Sequence, residues 1–225
     1  MIKSLFKRLM HSFGKTYEID EEIPSSFFRR VMYVRFLMLF RGLIFYRKRV
    51  FLGKRVKLLH AKNIYLDKNC TIEDFCILDG FCSDRLVIGK NSKIGAYSEV
   101  RSTSHFSKYG KGLKFGNNSG VGKFAFFGAA GGIKIGNDVI MGEYVSFHSE
   151  NHNFTNKNEL IRNQGVTSKG IAIGNNVWVG AKVTFLDGTI IKDGSVVAAG
   201  AVVKGEFPGN VVIGGVPARI IKNIV

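Results

Sequence analysis

The sequence predicts an all-β protein, a left-handed parallel β-helix of about six coils, preceded by an N-terminal helical extension. Three observations predict it. Large apolar residues return at every sixth position in an unbroken train, at Ile173, Val179, Phe185, Ile191, Val197 and Val203. Small or β-branched residues stand four places after the first five of these, at Val177, Val183, Thr189, Ser195 and Ala201. The chain holds 27 glycines and only 3 prolines, as a structure of many tight turns would. Helices repeat at 3.6 residues and strands at 2.0, so neither explains a period of six. A triangular coil does: each hexad is one flat face, three hexads of roughly 18 residues close a turn, and the turns stack as parallel strands.

The elements follow in chain order. Ile2, Leu5, Phe6, Leu9, Met10 and Phe13 recur at helical spacing with Lys3, Lys7 and Arg8 among them, giving a basic amphipathic start. It lacks the unbroken apolar run and small-residue cleavage site of a secretory signal. Residues 25–50 form a second helical stretch, rich in Phe, Leu, Val and Met and interrupted by Arg35 and Arg41. It is too short and too charged for a membrane span. Two placements stay open for it: lying in a membrane surface, or packed on the end of the β-helix or between subunits. The extension is expected over residues 1–58 and the β-helix over 59–225. Within the latter, Leu66, Ile72 and Leu78 make one triplet, with Cys70 and Cys76 in its small slots. Ile88, Ile94 and Val100 make the second, Phe115, Val121 and Phe127 the third, and Ile135, Met141 and Phe147 the fourth; the unbroken train supplies two more coils. The breaks are loops, at 101–114 and 153–170, and loops projecting from a solenoid corner commonly build binding sites.

At 225 residues and 45% apolar content, the chain can bury a full core without disulfide or metal staples. Cys70, Cys76 and Cys82 form no C-x-x-C pair and are odd in number, so they read as reduced core thiols. The net charge of +16 is concentrated: residues 1–60 hold fourteen Lys or Arg against four Asp or Glu, a net +10. That suits an anionic membrane face or an acidic ligand. No zinc-finger, helix-turn-helix or aromatic RNA-binding signature is present, so nucleic acid is not expected.

Three stretches carry a resemblance to a known family. They are Gly170-Ile-Ala-Ile-Gly-Asn-Asn-Val-Trp-Val-Gly-Ala181, Ala198-Ala-Gly-Ala-Val-Val-Lys204 and Gly214-Gly-Val-Pro-Ala-Arg219. Residues 60–225 resemble the hexapeptide-repeat O-acetyltransferases, which include maltose and galactoside acetyltransferases and relatives that modify bacterial capsule and surface polysaccharides. The resemblance implies a homotrimer using acetyl-coenzyme A as co-substrate, with no metal, and sites between neighbouring prisms. It implies a catalytic histidine in Phe147-His-Ser-Glu-Asn-His-Asn-Phe154, assigned to His152. His148 and Glu150 are accessory candidates, Glu150 as an orienting carboxylate, and Trp178 is a third beside the groove. The coenzyme positions implied are Ala181, Ala199, Lys204, Gly205, Arg219 and Lys222, the last two meeting the phosphates. The amide of Ala181 is the implied oxyanion donor.

The chemistry requires such residues. A sugar hydroxyl is a poor nucleophile at neutral pH, and an imidazole of unperturbed pKa near ~6.5 can take its proton as the oxygen attacks a thioester. An aimed N–H then holds the oxyanion. The sequence departs from the maltose-type pattern at Phe124-Ala125, where a polar pair is common, and at Ala129-Ala-Gly-Gly132, where an acidic residue is common. The acceptor pocket is therefore altered, and the extension is more like that of the polysaccharide-modifying branch, whose acceptors are lipid- or nucleotide-linked sugars. The expected location is cytoplasmic, with peripheral contact at the inner membrane face through residues 1–50. Three other readings stay open: an N-acetyltransferase on a nucleotide-linked amino sugar, a γ-type carbonic anhydrase using His105, His148 and His152, and a non-catalytic trimeric scaffold.

Overall fold

A computed structural model describes residues 2–12, 18–103 and 108–225. His105 and Phe13 lie outside the described residues. Helices α1 (Ile2–Ser12) and α2 (Ser25–Phe45) precede seven stacked coils. The first coil is β1 (Phe51–Leu52), β2 (Lys57–Leu59) and β3 (Ile64–Leu66); the second is β4 (Thr71–Ile72), β5 (Ile77–Asp79) and β6 (Leu86–Ile88). Then come β7 (Lys93–Ile94), β8 (Glu99–Arg101) and β9 (Leu113–Phe115), followed by β10 (Gly120–Val121), β11 (Phe126–Gly128) and β12 (Ile133–Ile135). The fifth coil is β13 (Ile140–Met141), β14 (Ser146–His148) and β17 (Ile171–Ile173), with the excursion β15 (Asn151–His152) and β16 (Val166–Thr167) between its second and third sides. Strands β18 (Trp178–Val179), β19 (Thr184–Leu186) and β20 (Ile190–Ile191) form the sixth, and β21 (Val196–Val197), β22 (Val202–Val203) and β23 (Glu206–Phe207) the seventh. Strand β24 (Val211–Gly215) returns to the first side and pairs antiparallel with β25 (Ala218–Asn223).

Three sheets result: A, from β1 to β24 with β25 at its edge; B, from β2 to β22; and C, from β3 to β23. Neighbouring coils pair in parallel, and equivalent repeat positions share register, as in Phe127↔Phe147↔Phe185. The aliphatic position of each hexad points inward, and Ile72, Leu78, Ile94, Val100, Val179 and Val203 are fully buried. On side B the inward column becomes aromatic, with the rings of Phe127, Phe147 and Phe185 stacked at 4.9 and 4.7 Å.

The β-helix starts at Phe51, so residues 51–58, expected in the extension, form the first coil, and there are seven coils rather than six. Leu52, Leu58 and the buried Ile64 are six apart, while the residue in register with the later inward column of side C is Leu66, two places further on. The glycines that follow the inward residues do not serve to turn the chain. Gly95, Gly116, Gly136 and Gly180 have no left-handed φ; a Cβ there would stand 2.2–2.5 Å from backbone of the next coil. They permit close approach. The left-handed positions precede the small slots instead and carry Asn69, Asn91, Asn118 and Asn176 at one corner. At the A–B corner they carry aromatic residues. Phe75, Tyr97, Phe124 and Tyr144, with φ of 57–61°, stack at 4.9–5.1 Å into an outer column. Phe124, which sequence reasoning associated with an altered acceptor pair, is a ring of this column, and Ala125 is a buried corner residue.

Helix α2 covers the β1 end of the prism. Phe28, Met38 and Gly42 are buried, Arg35 donates to Thr71 Oγ1 at 2.8 Å, and Arg41 donates to the Leu52 carbonyl at 3.2 Å. Tyr46 hydroxyl donates to the Ile64 carbonyl (2.7 Å) and accepts from Leu66 N–H (3.1 Å). Its other face is uncovered: Tyr33, Phe36, Phe40, Leu43, Ile44 and Phe45 are exposed. Among the described residues no helix is long and apolar enough to cross a membrane.

Candidate active site

The excursion between β14 and β17 is stapled at both ends. At its exit, the buried Ser149 hydroxyl donates to the Gly128 carbonyl (2.7 Å) and accepts from Gly131 N–H (2.9 Å). At its return, the buried Asp187 carboxylate accepts Lys169 N–H through both oxygens (2.8 and 3.0 Å) and Gly170 N–H at 2.8 Å. Charge-assisted bonds of this kind are the stronger ones. Between the staples β15 and β16 pair antiparallel, Asn151 with Thr167 and His152 with Val166, so the expected loop at 153–170 begins inside a hairpin. Asn153 locks the hairpin further, its N–H donating to the Gly165 carbonyl and its amide to the Gln164 carbonyl. His152 therefore stands exposed on a two-stranded arm at the B–C corner. His148, next to inward Phe147, faces out on sheet B with its ring 5.6 Å from that of Phe126. Glu150 accepts from Ser168 Oγ at 3.4 Å.

The other expected residues are distributed over the prism. Ala181 and Ala199 stack on successive coils at the A–B corner, where Gly142 and Gly180 lie so close that a Cβ would stand 2.6 and 2.5 Å from their nitrogens. Among the described residues, no acceptor takes up the Ala181 N–H. Trp178 is 57% exposed on the outer face of sheet A beside Ile140, which is 67% exposed. The row continues through Val196 and Val212 to Lys222. Arg219, on the same final strand, donates to the Ala218 carbonyl at 2.8 Å. Lys204 and Gly205 lie at the B–C corner between β22 and β23. One chain thus groups Ala181, Ala199, Trp178 and Lys222 around sheet A and the A–B corner. His152, Lys204 and Gly205 stand across the width of sheet B. His152 and Ala181 thus leave the prism at different corners, on successive coils.

Sequence reasoning missed Ser149 and Asp187. Asp187 opens an Asp-Gly-Thr turn, an ordinary corner signal. That its carboxylate crosses to the preceding coil is visible only once the coils are stacked. No group of three or more His, Cys, Asp or Glu positioned to hold a metal ion occurs among the described residues.

Residues 170–205 match the family model of the bacterial transferase hexapeptide, six repeats. The repeat is that of the hexapeptide transferases. Similar proteins include the putative lipopolysaccharide biosynthesis O-acetyl transferase WbbJ of Escherichia coli K12, 34% identical over 51% of this chain and 62% of that protein. The galactoside O-acetyltransferase of the same organism is 39% identical over 41% of this chain and 44% of its own length. The chain thus spans less than two thirds of these relatives. Among solved structures, the polySia-specific acetyltransferase NeuO shares the fold at a TM-score of 0.52, with 22% identity over 78% of this chain and 71% of that one. The hexapeptide prism is the left-handed parallel β-helix that the six-residue period predicts.

Proposed function

We propose that this hexapeptide-repeat chain is an acetyl-coenzyme A-dependent O-acetyltransferase acting on a sugar hydroxyl of a surface-polysaccharide precursor, working as a homotrimer. His152 takes the hydroxyl proton as the oxygen bonds to the thioester carbonyl carbon. The Ala181 N–H receives the oxyanion; collapse of the tetrahedral intermediate then breaks the carbon–sulfur bond, and the imidazolium returns its proton to the leaving thiolate. The observation that carries the reading is the pairing of an exposed imidazole on a doubly stapled arm with an unclaimed amide one coil further on, at another corner. Neither half catalyses alone, and a ring of copies sets the arm of one prism against the A–B corner of the next. Ala181 and Ala199 leave the backbone open to a pantetheine arm, with Arg219 and Lys222 further along for the phosphates.

The test is acetyl transfer from acetyl-coenzyme A to a panel of nucleotide- and lipid-linked sugars, with product mass read by spectrometry. Wild type is expected to add acetyl to a hydroxyl-bearing acceptor, and His152→Ala to lose most turnover while binding coenzyme A unchanged. Near wild-type turnover in His152→Ala would remove the base assignment, and products only from amino sugars would replace O- by N-transfer. Peripheral membrane contact is part of the same reading: the uncovered apolar face of α2 lies between Arg29 and Arg30 at one end and Arg47, Lys48 and Arg49 at the other, as an anionic lipid surface requires.

A further inference from the structure

A second feature stands at the corner from which the His152 arm projects. A cleft of about 530 Å³ runs over sheet C and the B–C corner, and its charged lining is Arg85, Lys111, Lys114, Lys134 and Lys169 against one carboxylate, Asp84. Lys114 and Lys134 are register partners on adjacent parallel strands, β9 and β12. Their backbones are about 4.8 Å apart, and like charges directly opposed on a sheet repel. None of the five cations forms an ion pair among the described residues. Arg85 only lies over the Tyr65 ring, at 5.9 Å. The floor is kept low by glycines with left-handed φ, Gly112, Gly132, Gly170 and Gly188. A Cβ on Gly132 would meet the Lys111 side chain at 3.3 Å, and one on Gly170 the Gly131 carbonyl at 2.8 Å. The floor amides are spent: Gly112 and Gly132 donate to Ala129, Gly170 to Asp187 and Gly188 to Gly170. Any anion must therefore be held by the side chains.

We propose that this cleft is the acceptor's anion subsite and takes a diphosphate group. Resting on the acyl-transfer reading, this narrows the acceptor to a sugar carried on a diphosphate. Five cations exceed what a single carboxylate needs, and clustered Lys with Arg is the donor set suited to phosphoryl oxygens. Lys169 ties the cleft to the chemistry: it stands two residues after β16, its N–H is held by Asp187, and β16 pairs with the strand bearing His152. A diphosphate held there leaves the attached sugar beside the arm.

The experiment is calorimetric titration of the full chain with inorganic pyrophosphate, with uridine diphosphate and with farnesyl diphosphate, each repeated with acetyl-coenzyme A present. Pyrophosphate binding is expected to weaken with salt and to fall about tenfold or more in the Lys114→Gln/Lys134→Gln double variant, with acetyl-coenzyme A affinity unchanged. Tighter binding of the uridine compound assigns a nucleotide carrier, and tighter binding of the farnesyl compound a lipid carrier. Absence of pyrophosphate binding at low millimolar concentration, equal binding by the double variant, or displacement by coenzyme A would each overturn the subsite. Absence of acetyl-coenzyme A binding alone would instead strike the acyl-transfer reading, because the pyrophosphate arm is read without turnover.

Discussion

Replacing Asp187 by alanine removes the acceptor that fastens the return of the His152 arm to the sixth coil. Two N–H donors, of Lys169 and Gly170, lose a carboxylate at 2.8–3.0 Å. A hydrogen bond to a charged group contributes roughly 1.5–3 kcal/mol, and an orphaned buried donor costs a similar amount. Gly170 is half-buried and Lys169 exposed, so water recovers part of the loss, and the expected destabilisation is about 2–4 kcal/mol. Because each coil touches only its neighbours, the damage should stay local. Amide hydrogen exchange followed by mass spectrometry reads this directly: exchange should rise over residues 149–170 and remain unchanged in the first three coils. Asp187→Asn keeps one acceptor oxygen and should give about half the effect. Turnover should fall with kcat while coenzyme A binding holds, since the residue positions the arm and touches no substrate. Unchanged exchange over residues 166–170 in the alanine variant would refute the staple.

Gly180→Ala should lower stability by about 1–3 kcal/mol in thermal or denaturant unfolding, because its Cβ would sit 2.5 Å from Ala199 N, whereas Gly200→Asn, at φ 73° with open space, should be close to neutral. Burial pushes the Cys70 thiol up to about 12 and Cys76 to about 11, from an ordinary 9.0. Both should therefore resist alkylation in the native protein at pH 8 and react fully in denaturant. With folded values above the unfolded one, their stabilising contribution is complete below about pH 9 and declines as pH rises toward 12; stability constant across that alkaline range would contradict it. Phe36→Ser/Phe40→Ser/Ile44→Ser should abolish sedimentation with anionic liposomes while leaving unfolding unchanged; retained sedimentation would oppose the lipid contact. This variant is a better probe than deleting residues 1–50, which would also remove Val50 from the core and the Tyr46 bonds that cover the first coil.

Much of the prism was legible because its constraint is periodic. Every inward residue from Ile173 to Val203 obeys one spacing, and the same spacing recurs where insertions are few. The first coil escaped because its charged stretch Lys54–Lys57 and the half-buried Leu58 resemble the basic extension that precedes them. The outer column of Phe75, Tyr97, Phe124 and Tyr144 escaped for a different reason. Aromatic residues at left-handed φ violate local preference, and only the stacked neighbour on the next coil, worth about 0.5–1.5 kcal/mol per pair, offsets the strain. Site residues divide in the same way. His152 and Ala181 are visible through motif resemblance, but Asp187 and the Lys114–Lys134 pair acquire meaning only through contacts between coils, which a linear sequence does not display.

The proposed site is shared between copies, with His152 from one prism and Ala181 from the next. Subunit complementation tests this most directly, using His152→Ala and Ala181→Pro, the latter removing the N–H. Each variant alone should be inactive in acetyl transfer. Co-expressed in equal amounts they should recover about a quarter of wild-type turnover per chain, because random assembly pairs an intact imidazole with an intact amide in that fraction of interfaces. If mixed assemblies form and stay as inactive as the separate variants, both groups belong to one chain and the shared site is wrong.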